Sequence, residues 1–288
     1  VFINNPSFLV PALFIKISNC PILTKKFLQS LLIINMSNNK PLVSIILPVR
    51  NQELYLLFCL ESLTHQTYKN IEIIAIEDNS TDNSLRILRL FRKRDRRILI
   101  IKNKKQYGFS VCLNRGMNKA KGDFIAFMNA EDQSVRTRIR RQLEFLLSHQ
   151  NVVACGTFGT TINRKGKMLK KFKFPENHEE IIKSLMIGFT MQFESTMINR
   201  RILPSDIIKF DKNPYPFLFS EMFVKLIPYG LLINIDKSLY QRRSRKNLWT
   251  IKRYLFFIKL FLKSIATRDY RPSFESLLLP ITKQPSTF

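Results

Sequence analysis

The sequence is poor in several features, and each absence excludes a class of protein. Its 288 residues include only 8 glycines, too few for a collagen-like repeat. The 4 cysteines are too sparse for a disulfide-stapled fold and form no C-x-x-C pair, so a zinc site is not expected. Neither G-x-G-x-x-G nor G-x-x-x-x-G-K-[ST] occurs, which disfavours dinucleotide-dependent enzymes and P-loop NTPases. A hydrophobic fraction of 45% still predicts a globular protein with a core.

Acidic residues are also scarce. The chain has 47 Lys and Arg against 21 Asp and Glu, a formal net charge of +26. A field of that sign attracts nucleic acid, anionic lipid headgroups or phosphorylated substrates. A genome rich in A and T would produce a similar excess of lysine, so the charge alone names no partner. No zinc-finger spacing, RNP signature or recognition helix is present, so no specific nucleic-acid partner is expected.

Long hydrophobic runs are missing from the N-terminal region. Residues 1–35 hold two apolar patches interrupted by prolines and lysines, and neither approaches the ~20 apolar residues of a membrane span. No basic segment precedes the first patch and no small-residue cleavage site follows it, which disfavours a signal peptide. Met36 is followed by a polar leader and then by a strand pattern. We therefore expect Met36 to be the natural start and residues 1–35 to be a non-native or disordered extension.

From residue 42 onward, buried-strand and amphipathic-helix patterns alternate with short connections. Strands are predicted at Val43–Val49, Ile71–Ile76, Ile98–Ile101 and Asp123–Met128, with helices at Glu53–His65, Asn83–Lys93 and Ser110–Ala120. This alternation predicts an α/β fold with a mostly parallel, Rossmann-like sheet flanked by helices. We expect the folded domain to cover residues 36–235.

The second half is less regular. We predict a helix at Arg136–Ser148, a strand at Val152–Gly156 and a lysine-rich hairpin or loop at Thr161–Phe174. Residues 236–288 contain 12 basic and 3 acidic side chains, and Leu248–Ala266 has an apolar stripe, many aromatics and a narrow basic face. This pattern favours a basic amphipathic helical tail at a membrane interface. The alternative is a helix packed on the domain with a solvated basic edge.

Acidic and amide side chains follow three of the predicted strands, where ligands bind in open parallel sheets. They lie in the segment Arg50-Asn51-Gln52-Glu53 after the first strand, at Glu77, Asp78 and Asp82 after the second, and in the segment Asn129-Ala130-Glu131-Asp132 after the fourth. A carboxylate cluster in so basic a protein is best explained by a divalent cation, which would in turn bind a phosphate oxygen. Each piece also has a structural explanation, since Asp82 could cap a helix and Asp78 could hold a turn.

Several motifs in order carry a family resemblance. These are Val43–Asn51 (VSIILPVRN), Glu77–Asp82 (EDNSTD), Gln106–Ser110, Asn114–Gly116 and Lys121–Asp132 (KGDFIAFMNAED). Together they resemble the family 2 glycosyltransferases. The resemblance implies a GT-A-type nucleotide-binding fold, a nucleotide-sugar donor and inversion at the anomeric carbon.

The resemblance also implies roles for individual residues. Pro48 and Asn51 would line the base pocket, with Glu53 beside them, and Asp78 would hydrogen-bond the base. Asn129 and Glu131 stand at the two acidic positions of the family's Asp-x-Asp motif. Asn129 would contact the ribose, and Glu131 with Asp132 would hold Mg²⁺ or Mn²⁺ at a weak or altered site. Arg50, where the family usually has an aromatic residue, could reach a phosphate.

The general base is where the sequence departs furthest from the family. The acidic pair expected at the start of a helix falls on Leu218 and Phe219, which cannot accept a proton. Glu221 is the nearest carboxylate, and Glu194 stands where the family often has a histidine. We expect one of these two to replace the base.

The expected protein is a cytoplasmic enzyme at the inner face of a membrane. It would move a sugar, most simply from a UDP-linked donor, to a glycan or lipid-linked acceptor in cell-surface polysaccharide or lipopolysaccharide synthesis. The alternative is a degraded relative that keeps the fold, with or without nucleotide binding, but has lost catalysis.

Overall fold

The structure is a computed structural model that describes residues 40–185, 190–210 and 218–244. The chain divides into two compact units, Val1–Pro41 and Leu42–Phe288, and every helix and strand described lies in the second. Three predictions lie outside the described residues: the N-terminal extension 1–35, the natural start of the protein at Met36, and the helix Leu248–Ala266. Within the described ranges, no helix is both long enough and apolar enough to cross a membrane.

The first half follows the predicted alternation, and each element begins and ends within three residues of its predicted bounds. The elements are β1 (Val43–Val49), α1 (Leu56–Thr64), β2 (Ile71–Glu77), α2 (Ser84–Arg94), β3 (Ile98–Lys102), α3 (Phe109–Lys119) and β4 (Phe124–Phe127). β1 pairs in parallel with both β2 and β4, and β2 pairs in parallel with β3. Helices connect these strands because parallel neighbours need a crossover.

The second half contains more strands than its pattern predicts. Its elements are β5 (Gln133–Ser134), α4 (Arg138–Ser148), β6 (Val152–Ile162), β7 (Met168–Phe172), α5 (His178–Leu185), β8 (Met197–Asn199), α6 (Leu218–Leu226) and β9 (Leu231–Arg243). The predicted strand at Val152–Gly156 extends to Ile162, and the lysine-rich segment forms the β6–β7 hairpin. The expected boundary at residue 235 falls inside β9, so the sheet continues to Arg243.

All nine described strands form one sheet, in the order β3-β2-β1-β4-β8-β6-β9-β5, with β7 added beside β6. β8 joins the two halves, because it pairs antiparallel with both β4 and β6. β6 and β9 are parallel, whereas β5 is antiparallel to β9. The α/β class is confirmed, with a parallel first half and a mixed second half.

The core fills both faces of the parallel half, as the continuous apolar runs require. Ile45, Ile46 and Leu47 of β1 are completely buried. Helix α3 approaches this strand closely at Gly116, where an added Cβ would lie 2.6 Å from Ile46 Cγ2 and 2.9 Å from Ile76 Cδ1. A glycine is therefore needed for the helix to pack at this distance.

We expect Gly116→Ala to destabilise the protein, because the added methyl group overpacks a closed part of the core. The free energy of unfolding should fall by about 1–3 kcal/mol, as measured by urea denaturation. Asn118→Ala, at an exposed position of the same helix, is the matched control and should be nearly neutral. Equal effects of the two changes would contradict the close packing at Gly116.

Candidate functional site

The loops after β1 and β4 lie on either side of the topological switch point of the sheet. β1 lies between β2 and β4, so the chain leaves β1 in one direction and returns at β4 on its other side. Ligands of open α/β sheets bind beyond the carboxyl ends of the strands at such a point. The segments Arg50–Glu53 and Asn129–Asp132 follow the two central strands and define the candidate site.

Hydrogen bonds fasten the loop after β1 to the loop after β2. The Asn51 side-chain oxygen accepts from the Thr81 N–H at 2.9 Å, and the Glu53 carboxylate accepts from the Asn83 N–H at 2.9 Å. In return, the Asp82 carboxylate accepts from the Glu53 N–H at 2.9 Å. Asn51 has a φ of +52°, a left-handed conformation that asparagine tolerates. Asn51 and Glu53, which we predicted as nucleotide contacts, thus also hold these two loops together.

The Asp78 carboxylate is buried directly after β2 and accepts hydrogen bonds from three N–H groups, while the Cys112 thiol also hydrogen-bonds to it. Its Oδ1 accepts from Asn103 Nδ2 at 2.7 Å and from the Tyr107 N–H at 2.8 Å, and its Oδ2 accepts from the Gly108 N–H at 2.9 Å. Burial alone would raise the pKa of Asp78, but these bonds stabilise the charged form and hold the pKa below its ordinary value. Asp78 is therefore a fixed anion at the expected base-binding position.

Asn103 is a site residue that sequence reasoning missed. It is completely buried, and its side-chain oxygen accepts a hydrogen bond from Arg115 while its amide donates to Asp78. The Arg115 guanidinium also lies over the Tyr107 ring, 4.6 Å from its centroid. Asn103 follows the end of β3 directly, so its position beyond a strand was the signal that could have found it.

The Asn129–Asp132 segment forms a tight turn against β9. The Asn129 side-chain oxygen accepts from the Glu131 N–H at 3.2 Å, and among the described residues its amide Nδ2 has no hydrogen-bond partner. Asp132 is buried, and its carboxylate accepts from the Tyr240 hydroxyl and the Arg243 N–H, both at 2.8 Å. The Asp132 carboxylate, predicted as a metal ligand, is thus engaged by strand β9.

Arg243 connects this turn to the rest of the site. Its side chain donates to the Glu131 carbonyl at 2.9 Å and to the carbonyls of Asn163 and Arg164 at 2.8 Å. The guanidinium also lies over the Tyr55 ring, 4.2 Å from its centroid. Because Tyr55 precedes α1 and Asn163 begins the β6–β7 turn, one buried side chain fixes three segments around the candidate site.

The buried guanidinium of Arg138 binds the end of β4, which precedes the Asn129–Asp132 turn. Arg138 is completely buried and donates to the Phe127 carbonyl at 2.7 Å and to Gln142 Oε1 at 3.0 Å. Its guanidinium lies over the Tyr240 ring at 5.3 Å, and in the described part of the chain it forms no salt bridge. Burial lowers the pKa of Arg138 to about 10 and raises the pKa of Tyr240.

The two candidate bases are placed differently. Glu194 lies half-buried in the short 3-10 turn Phe193–Ser195. Burial lowers the pKa of Arg138, and the negative charge of Glu194 opposes this effect. For Tyr240, burial and the charge of Glu194 both raise the pKa. Glu194 is therefore within electrostatic reach of the two side chains beneath the Asn129–Asp132 turn. Glu221 lies in α6, but its side chain is outside the described part of the structure.

The remaining predicted nucleotide contacts lie at the end of β1. Pro48 is the second-last residue of β1 and is partly buried, and Arg50 is exposed in the loop that follows. Both precede Asn51, whose contacts place this loop beside the end of β2. The structure thus brings the predicted residues Pro48, Arg50, Asn51 and Asp78 to one edge of the sheet.

No three His, Cys, Asp or Glu side chains come together as a metal site within the described residues. Mg²⁺ does not require such a cage, because it is usually bound by one or two carboxylates together with substrate phosphates. Glu131 is half-buried in the turn and carries a hard oxygen donor of the kind such a metal prefers. The donor set therefore fits a metal that arrives with a diphosphate better than a preformed, all-protein site.

We expect Asp78→Asn to destabilise the fold. The carboxylate accepts hydrogen bonds from N–H groups at both of its oxygens, and an amide would place an NH₂ group, itself a donor, against one of them. At neutral pH the free energy of unfolding should fall by about 3 kcal/mol, measured by urea denaturation. The exposed Asp206→Asn variant is the control.

The same variant predicts a dependence on pH. A carboxyl whose pKa is lowered on folding stabilises the protein above its unfolded pKa, here 3.8, and this contribution is lost as pH falls through the folded pKa. The stability difference between wild type and Asp78→Asn should thus be full at pH 7 and shrink below about pH 4. A constant difference between pH 7 and pH 3 would contradict the assignment.

We expect Tyr240→Phe to lower the free energy of unfolding by about 2 kcal/mol, because the buried Asp132 carboxylate loses a donor. Thermal and urea denaturation measure the effect. Tyr107→Phe, at a more exposed tyrosine, should change stability much less. Equal effects would show that Asp132 does not depend on the Tyr240 hydroxyl.

Comparison with known proteins agrees with this geometry. An uncharacterised glycosyltransferase of Haemophilus influenzae is 37% identical over 120 residues, which is 42% of this chain and 48% of that protein. The putative teichuronic acid biosynthesis glycosyltransferase TuaG of Bacillus subtilis is 26% identical over 230 residues, 76% of this chain and 90% of TuaG. The chain thus spans about half the length of the first relative and most of the second.

Solved structures show the same fold. Staphylococcus aureus TarS (residues 1–349) in complex with UDP aligns with a TM-score of 0.57 at 18% identity, covering 76% of this chain and 65% of that one. The mannosyltransferase PcManGT from Pyrobaculum calidifontis, in complex with GDP-Man and Mn²⁺, aligns with a TM-score of 0.58 at 16% identity, covering 84% and 69%. The fold is the GT-A type. The model of "Glycosyl transferase family 2" matches residues 44–205, more than half of the sequence, and the chain belongs to that family.

Proposed function

We propose that this protein transfers a sugar from a nucleotide-sugar donor, UDP-linked in the simplest case, to a hydroxyl of a glycan or lipid-linked acceptor, with inversion. The observation that carries the proposal is the fixed Asp78 anion beside the switch point of a family 2 fold. Family membership supports glycosyl transfer as the chemistry.

Asp78 is suited to recognise the base. A carboxylate offers about four lone-pair positions. Asn103, Tyr107 and Gly108 use three of them, and the Cys112 thiol also hydrogen-bonds to the carboxylate. A ring N–H, such as that of uracil, would take the place of the thiol, which is a weak donor. Pro48 and Asn51 would bound the pocket on the β1 side, with Glu53 holding the loop in place.

Asn129 and Glu131 are suited to the ribose and the diphosphate. The Asn129 amide can donate to a ribose hydroxyl without bringing charge. Glu131 would hold Mg²⁺ or Mn²⁺ together with the donor's diphosphate, with Asp132 orienting the turn from behind. Such a metal neutralises charge on the leaving diphosphate. Arg50, exposed in the adjacent loop, could supply a second positive charge to the phosphates.

The transfer step needs a base on the acceptor side. The acceptor oxygen attacks the anomeric carbon opposite the leaving group, its proton passes to a carboxylate, and the bond to the diphosphate oxygen breaks. Glu194 is supported as that carboxylate by its half-buried position near the Asn129–Asp132 turn, and Glu221 is the second candidate. Inversion follows from a single in-line displacement.

The acceptor and the location are proposed from the relatives and from charge. TuaG is named for teichuronic acid biosynthesis, which supports a cell-surface polysaccharide as the product here. A net charge of +26 supports a cytoplasmic enzyme bound peripherally to the anionic inner face of a membrane. A lipid-linked acceptor would be reached from that position.

Calorimetric binding of UDP and GDP, with and without Mn²⁺, tests the donor site. We expect one nucleotide to bind, at least tenfold more tightly with Mn²⁺, and Glu131→Gln to remove that metal dependence. Glu144→Gln, on the exposed face of α4, is the control. Binding that ignores the metal would assign the diphosphate to Arg50, and no binding of either nucleotide would contradict the proposed donor site.

Turnover with the matching nucleotide-sugar tests catalysis. We expect Glu194→Gln to lower kcat by 10²–10⁴-fold, as for loss of a general base, while leaving nucleotide binding unchanged. If Glu221→Gln lowers kcat by this factor and Glu194→Gln does not, the general base is Glu221 of α6. Glu179→Gln, at an exposed position of α5, is the control and should leave kcat unchanged. Nucleotide binding without any turnover in wild type would favour the degraded relative.

A further inference from the structure

The β6–β7 hairpin carries a concentrated positive charge. We call residues 163–173 the basic hairpin. It contains six basic residues and no Asp or Glu, namely Arg164, Lys165, Lys167, Lys170, Lys171 and Lys173. All six are exposed, and a salt bridge at 4.0 Å joins Lys173 to Asp236.

Strand β7 is unusual because its first four residues, Met168–Lys171, are exposed on both faces, and only Phe172 at its end is half-buried. Met168 is 62% exposed and Leu169 is 57% exposed. Consecutive strand residues point to opposite faces, so each face presents one aliphatic side chain next to at least one lysine. Among the described strands β7 pairs only with β6. Strands of antiparallel sheets commonly bury one face, whereas the first four residues of β7 are exposed on both faces.

The basic hairpin is rigidly built and lies beside the candidate site. The Asn163 side-chain oxygen accepts from the N–H groups of Lys165 and Lys167, both at 2.9 Å, and Gly166 takes the left-handed φ of +84° that the turn needs. Arg243 binds the first two carbonyls of the turn and the Glu131 carbonyl at the same time. The hairpin is therefore fixed next to the Asn129–Asp132 turn.

We propose that the basic hairpin docks the protein edge-on against an anionic bilayer surface, with its lysines at the headgroups and with Met168 and Leu169, one on each face, both at the interface. Lysines alone would suit a soluble polyanion equally, but the two exposed aliphatic side chains gain only from an apolar boundary. The inference deepens the proposed function, since it names the surface that would turn the site toward a lipid-linked acceptor. It does not depend on catalysis.

Vesicle flotation with the full chain tests the proposal, using phosphatidylcholine vesicles with and without phosphatidylglycerol. The hairpin variant is Lys165→Gln/Lys167→Gln/Lys171→Gln, and the control, Arg86→Gln/Arg89→Gln/Lys93→Gln on α2, removes the same charge from another exposed face. A second pair compares Met168→Ser/Leu169→Ser with Leu90→Ser/Val224→Ser, which are also exposed. Thermal unfolding verifies that each variant is folded.

We expect binding only to the anionic vesicles, weakened by added salt. The hairpin charge variant should bind roughly 100-fold more weakly, since each basic residue near the surface contributes about fivefold, and the α2 control should bind much better than it. Met168→Ser/Leu169→Ser should also weaken binding, more than its control.

Three results would overturn the proposal. Equal losses in the hairpin and α2 variants would assign binding to overall charge. No loss on removing Met168 and Leu169, with full displacement by soluble polyphosphate, would make the hairpin a polyanion site. Unchanged binding in both hairpin variants would leave its lysines the role of protecting a sheet edge from aggregation. Nucleotide binding, measured in parallel, reports on the donor site separately.

Discussion

Arg243 is the side chain on which the geometry of the site depends most. It is almost fully buried, and its guanidinium donates to three carbonyl oxygens and lies over the face of Tyr55. Its backbone N–H also donates to Asp132. Because a buried guanidinium leaves unpaired donors if any partner moves, the segments around residues 55, 131 and 163 are held in one arrangement.

The parallel half of the fold was predictable because its strands are buried on both faces. Val43–Val49 and Ile71–Glu77 are mostly apolar, interrupted only by Ser44 in the first and by Glu72 and Glu77 in the second. The neighbouring helices have amphipathic spacing. The mixed half was not, since β5 and β8 are two and three residues long. In β9, charged residues such as Asp236 and Lys237 lie exposed within the strand, so the sequence resembles the start of a basic tail.

The position of the candidate site was predictable from the sequence, but the hydrogen-bond partners of its residues were not. A carboxylate directly after a buried strand indicated Asp78, but its partners Asn103 and Gly108 lie 25 and 30 residues further along the chain. Asp132 has the same chemical character as Glu131, and only the fold shows that β9 supplies its hydrogen-bond donors. Sequence patterns give the residues near a site, whereas pairing depends on long-range topology.

These hydrogen bonds have a consequence for specificity. Asp78, Asn51 and Glu53 each use oxygen atoms to fasten loops, so a ligand meets only the lone pairs and amides that remain. The segment 103–108 supplies three N–H donors to Asp78 and therefore sets how its carboxylate is oriented. Under the base-binding role proposed for Asp78, the choice of base should depend as much on Asn103, on Arg115 that donates to it and on Tyr107 that packs against Arg115 as on Asp78 itself. Recognition in this site is thus a property of how the loops after β2 and β3 are joined.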